Sequence, residues 1–201
     1  FERTLWARLP EDLPEEIALA AFDVAGAPAT VRRRAAPGAT VLVIGTGKAG
    51  LLCLAAAREA VGPPGKVLAV DPSPAAAARA RRLELADAVL ELDARDPIGV
   101  HAAIEARTGG AMADLVVNVA NAPQTEAASV LAARPEGTVL FFSMATSFAA
   151  AALGAEGLAH PGTLLIGNGY VPGHAEEALD LLRRHPALRA AFADLAGLRT
   201  P

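Results

Sequence analysis

The stretch that most restricts the fold is VLVIGTGKAGLLC, residues 41–53. Four apolar, mostly β-branched residues read as a buried strand, and LLCLAAAREAV beyond reads as a helix. Between them stand Gly45, Gly47 and Gly50 in G-x-G-x-x-G spacing. In that context Gly45 permits a tight turn, Gly47 lets backbone approach a diphosphate, and Gly50 lets helix and strand pack closely. The helix start adds unpaired N–H groups and partial positive charge, which suit an anion. Gly45, Thr46, Gly47, Lys48, Ala49 and Gly50 therefore form a candidate dinucleotide loop. The lysine raises a second possibility, the phosphate loop of ATPases. That loop needs four residues between its first glycine and Gly-Lys, followed by Ser or Thr, whereas Ala49 follows Lys48. Lys48 is left on the rim, either attracting phosphate or simply solvated.

Strand-like runs recur along the chain at 41–45, 66–71, 88–92, 114–120, 137–144 and 162–167. Helices are expected at 14–34, 49–61, 74–85, 97–108, 124–133 and 174–195. The strand runs are nearly continuous in apolar residues, as strands covered on both faces should be. The alternation predicts one α/β domain over 1–201, a doubly wound parallel six-stranded Rossmann sheet of order 3-2-1-4-5-6. Ligands of such sheets gather at the carboxyl ends of the strands, near the reversal between strands 1 and 4.

Polar residues at those ends are the further candidates. KVLAVD closes the second strand at Asp71, 21 residues beyond Gly50, where a carboxylate can accept hydrogen bonds from the adenosine ribose. Asp71 predicts NAD, with NADP weaker because a 2′-phosphate would meet like charge unless Arg79 or Arg81 turned inward. Capping of the next helix is the competing role for Asp71. Asp93, ending AVLELD, either borders the adenine or caps a helix. Asn118, Ala120 and Asn121 in VVNVANAP, with Ser143, Met144 and Ala145 in FFSMATS, are expected to line the nicotinamide side.

Composition narrows the partners. A net charge of −4 and a pI near 5.6 argue against a general polyanion or nucleic-acid binder, and VRRRAAPG and ARARRLE read as solvated helix faces. No apolar run approaches the roughly 18 residues of a membrane span. One cysteine, Cys53, cannot form an internal disulfide, which points to a reducing, cytoplasmic setting. The four histidines show no metal-ligand spacing, so no metal site is expected. Ser143 and Ser147 lack a nucleophile elbow, which gives no support to hydrolase chemistry.

Beyond the glycine loop, LPEDLPEEIALAAFDVAGAPATV, FFSMATSFAAAALGAEG and IGNGYVPGHAE make the chain resemble the cofactor-binding half of the L-erythro-3,5-diaminohexanoate dehydrogenases, relatives of the medium-chain dehydrogenases. The resemblance implies an enzyme of lysine fermentation. It would oxidise the carbon bearing the 3-amino group by hydride transfer to NAD, followed by hydrolysis of the imine to 5-amino-3-oxohexanoate and ammonia. It also implies a catalytic lobe N-terminal to this segment. The expectation is a C-terminal fragment without substrate-binding or catalytic residues of its own, inactive by itself. The zinc dependence of such an enzyme would rest with that other lobe. Family members also suggest a homodimer paired through the edge strand at 162–167. Two other readings share some features, a non-catalytic dinucleotide sensor and an S-adenosylmethionine methyltransferase; no methyl-transfer motif follows the fourth strand.

Overall fold

The computed structural model describes residues 6–167 and 169–198. Six parallel strands, β1 (Thr40–Ile44), β2 (Lys66–Val70), β3 (Ala88–Leu90), β4 (Ala113–Asn118), β5 (Ala133–Phe141) and β6 (Thr163–Ile166), form one sheet of order β3-β2-β1-β4-β5-β6. This is the expected topology. Alternate residues of β1 serve opposite faces: Val41 and Val43 join one core, Leu42 and Ile44 the other, all at most 1% exposed. That two-sided burial is why the strand sequences are apolar throughout rather than alternating.

On the first face lie α1 (Glu15–Phe22), α2 (Gly26–Arg34), α3 (Lys48–Val61), α4 (Pro74–Arg81), α8 (His174–Arg184) and α9 (Pro186–Leu195). On the second lie α5 (Pro97–Thr108), α6 (Glu126–Ala132) and α7 (Phe148–Gly157). Small residues let α2 and α3 approach closely: Ala27 and Ala29 of α2 and Ala55 and Ala57 of α3 are at most 1% exposed.

Three helical expectations need correction. Residues 14–34 form two helices, not one, with a turn at Asp23–Ala25. Pro28 then falls in the first turn of α2, where its missing N–H removes no intrahelical bond. Residues 174–195 likewise divide at His185, whose ψ of 89° lies outside the helical region that a following proline disfavours, and Pro186 opens α9. Helix α7 lies where none was expected. Ser147 starts it by accepting the Ala150 N–H at 3.2 Å, and only Ala151 and Ala155, one turn apart, are buried. β5 also begins earlier than expected, at Ala133, through a register irregularity opposite Ala113–Leu115, and ends at Phe141.

Candidate functional site

The carboxyl ends of β1, β2 and β4 open into a cleft of about 610 Å3 at the point where the strand order reverses. Ile44 and Asn118 are register partners there, and the Val119 N–H donates to the Ile44 carbonyl at 3.0 Å. Gly45, Gly47, Lys48, Ala49, Asp71, Asp93, Ala120, Asn121, Ser143 and Met144 all line this cleft.

The glycine loop is built by close contacts. Gly45 has φ +93°, and a Cβ there would also lie 2.8 Å from the Ala120 Cα. A Cβ on Gly50 would lie 2.0 Å from the Gly45 carbonyl oxygen, so α3 can start this close to β1 only with glycine. Gly47 is exposed, with no atom within 4 Å of a Cβ position. Backbone at the start of α3 is thus open to a ligand.

Asp71 joins this loop to the end of β2. Its Oδ2 accepts the Thr46 backbone N–H at 2.7 Å and the Thr46 hydroxyl at 2.9 Å, and its Oδ1 accepts the Ser73 N–H at 2.9 Å. Of roughly four acceptor positions on a carboxylate, one remains beyond these three bonds. Asp71 is 8% exposed and Thr46 is fully buried. Capping of α4 belongs instead to Ser73, which accepts the Ala76 N–H, so the capping alternative for Asp71 is overturned. Asp96 likewise caps α5 by accepting the Gly99 N–H at 3.0 Å, displacing that alternative for Asp93. Asp93 is held by Arg95, whose guanidinium and then backbone N–H keep its carboxyl below the usual range.

Four expected residues do not line the cleft. Thr46 lies beneath it and acts on Asp71; Gly50 packs under the loop. The amide of Asn118 is fully buried: its Nδ2 donates to the Thr125 and Ser129 hydroxyls, both at 2.8 Å, and its Oδ1 accepts the Ala120 N–H at 3.1 Å. Ala145 supports its neighbour, its N–H donating to the Ser143 hydroxyl at 3.1 Å. A second buried group continues this polar belt. Glu126, 3% exposed, accepts the Ser147 N–H at 2.7 Å and so ties α6 to the loop after β5.

Sequence reasoning missed Asp23 and Val24, which reach the cleft from the turn between α1 and α2. Gly26 and Pro28 in DVAGAP were the available signal of a helix restart. Lys48 is not simply solvated: its Nζ pairs with Asp23 Oδ2 at 2.9 Å. Among the described residues lining the cleft it is the only lysine or arginine. Arg81 is turned to Glu91 and the Val89 carbonyl, and neither it nor Arg79 lines the cleft.

No group of three or more His, Cys, Asp or Glu side chains among the described residues could hold a metal ion. Cys53 is fully buried, and burial pushes its thiol pKa up, opposite to what a thiolate ligand requires. No described helix is long and apolar enough to cross a membrane.

A doubly wound parallel sheet with a glycine-loop cleft at its switch point defines a Rossmann domain. The chain belongs to the zinc-binding dehydrogenase family, whose model matches residues 49–183. The residues described here provide no zinc site to go with that family description. A curated relative from Acetoanaerobium sticklandii, named L-erythro-3,5-diaminohexanoate dehydrogenase, is 42% identical over 96% of this chain and 56% of its own length. The chain thus spans little more than half of that relative. An alcohol dehydrogenase structure from Thermotoga maritima superposes with a TM-score of 0.71 at 18% identity, covering 92% of this chain and 51% of that one. A mycobacterial protein complexed with NADPH superposes at 0.66 with 21% identity, covering 96% and 65% respectively. These two likenesses establish the fold.

Proposed function

We propose that the cleft binds NAD, and that the chain is the dinucleotide-binding lobe of a dehydrogenase acting on a small amino acid, 3,5-diaminohexanoate. The observation that carries the cofactor reading is the fixed Asp71 carboxylate at the end of β2, with no arginine beside it in the cleft lining. A ribose with free hydroxyls can donate to that carboxylate; a 2′-phosphate would be repelled by it. The diphosphate would meet backbone N–H groups at Gly47–Ala49, where the exposed Gly47 leaves room, with Lys48 alongside. Asp93 would border the adenine, and Ala120, Asn121, Ser143 and Met144 the nicotinamide. Thr46, Gly50, Asn118 and Ala145 support these contacts from behind.

The bound nicotinamide supplies the hydride acceptor. The residues of the cleft bind and orient the dinucleotide. The substrate rests on the relative's name and 42% identity, and the second, catalytic lobe on the 56% of that relative's length that this chain spans. Pairing of two copies through β6, which lies at the edge of the sheet, and residence in the cytoplasm complete the proposal. Titration calorimetry of the chain with NAD and NADP tests the cofactor reading. Tighter binding of NAD is expected, and equal or tighter binding of NADP would overturn the preference. NAD-dependent oxidation of 3,5-diaminohexanoate by the whole protein tests the substrate; dinucleotide binding with no turnover of any amino acid would leave a sensor.

A further inference from the structure

Lys48 opens α3 at the mouth of the cleft, where the proposed diphosphate would lie, yet its ammonium is engaged by Asp23 at 2.9 Å. The fold fixes the backbone position of Asp23. It stands in the turn between α1 and α2, flanked by Ala21, fully buried, and Ala25, 1% exposed, and its own N–H donates to the Leu19 carbonyl at 3.1 Å. The backbone that carries the carboxylate is therefore part of the packed face, while the side chain is 65% exposed and lines the cleft. No other lysine or arginine among the described lining residues is available to balance it.

We infer that Asp23 is an electrostatic brake on dinucleotide binding, competing with the diphosphate for Lys48 and repelling it directly. This rests on the cofactor reading above. Two anions must share one ammonium when the dinucleotide enters, so part of the attraction that Lys48 could give is already spent on Asp23. Because both side chains are substantially exposed, the effect is modest and sensitive to salt. Its consequence is a weaker hold on the dinucleotide that is most marked at low ionic strength.

The test is calorimetric titration of NAD into the wild-type chain, Asp23→Asn, Lys48→Met and the double variant, with adenosine as a ligand lacking phosphate. Asp23→Asn should bind NAD about threefold to tenfold more tightly at low salt, and Lys48→Met at least about threefold more weakly. The gain from Asp23→Asn should shrink in the Lys48→Met background, and adenosine affinity should be unchanged throughout. Unchanged or weaker NAD binding by Asp23→Asn would overturn the brake while leaving the cofactor reading standing. If the wild type bound neither NAD nor NADP, the cofactor reading and the brake would both fall.

Discussion

Thr46 and Asp71 are bound to one another twice, through the backbone N–H and the hydroxyl of the threonine, across 25 residues of sequence and with both residues buried. The bond couples the turn after β1 to the end of β2, and it presets the direction of the carboxylate. Hydrogen bonds to a charged group are worth about 1.5–3 kcal/mol each. Thr46→Val, which keeps the backbone donor and loses the hydroxyl, should therefore lower stability by about that amount and weaken NAD severalfold, while Thr46→Ser restores both. Chemical denaturation and calorimetry measure the two effects.

Asp71→Ala should loosen NAD by at least about tenfold and narrow the gap to NADP, because the carboxylate both accepts the ribose and repels a 2′-phosphate. Competition of the two dinucleotides for each variant measures the ratio. An unchanged ratio would mean that Asp71 serves the loop alone.

Gly47 and Gly50 should respond oppositely to alanine. At Gly50 the added carbon collides with the Gly45 carbonyl, so α3 must move off β1, and a loss of at least about 2 kcal/mol in denaturant unfolding is expected. At Gly47 nothing in the protein is near, so stability should hold within about 0.5 kcal/mol while dinucleotide affinity falls.

The buried belt of Asn118, Thr125 and Ser129 shapes the loop after β4. Asn118→Ala would take the acceptor of the Ala120 N–H and the donor shared by the Thr125 and Ser129 hydroxyls, which keep only their own bonds to the Ala122 and Thr125 carbonyls; a buried group left unsatisfied costs about 1–3 kcal/mol and a lost buried bond adds to it. A drop of about 3 kcal/mol or more is expected in denaturant unfolding. Glu126→Gln, which still offers an acceptor to the Ser147 N–H, should be milder than Glu126→Ala.

Acid should weaken the fold in two stages. Burial alone lowers the pKa of His160, whose Nε2 is enclosed without a partner, so the folded state resists a proton that the unfolded chain takes up near pH 6.5. Stability present above that pH is lost as pH falls through the folded value. For Asp87 and Glu59 burial raises the pKa. It is outweighed at Asp87 by the Val67 N–H and Arg58, and at Glu59 by Arg184 and His185, leaving both lowered. Their contribution is complete above about pH 5 and is lost below about pH 4. Unfolding free energies measured from pH 8 to 3 should show both steps, and His160→Phe should remove the first.

The sheet order and the loop were legible because strand composition, glycine spacing and helix starts agree locally. A polar side chain at a strand end does not announce which way it points. Asn118 and Asn121 look alike in sequence, yet one is buried and spends its amide on Ala120, Thr125 and Ser129 while the other is exposed at the cleft. Asp23 was hidden for a different reason: its place depends on a break between two helices and on their packing against α3. Helix α7 gave little signal because its apolar residues run round the helix without a clear stripe, with only Ala151 and Ala155 facing the core.

The most direct measurement is a crystal structure of this chain grown with NAD. The account predicts the diphosphate against Gly47–Ala49 and an adenosine ribose hydroxyl on the Asp71 carboxylate, with the Thr46 bonds to Asp71 retained. A dinucleotide seated away from the carboxyl ends of β1 and β2, or a ribose that does not touch Asp71, would contradict it.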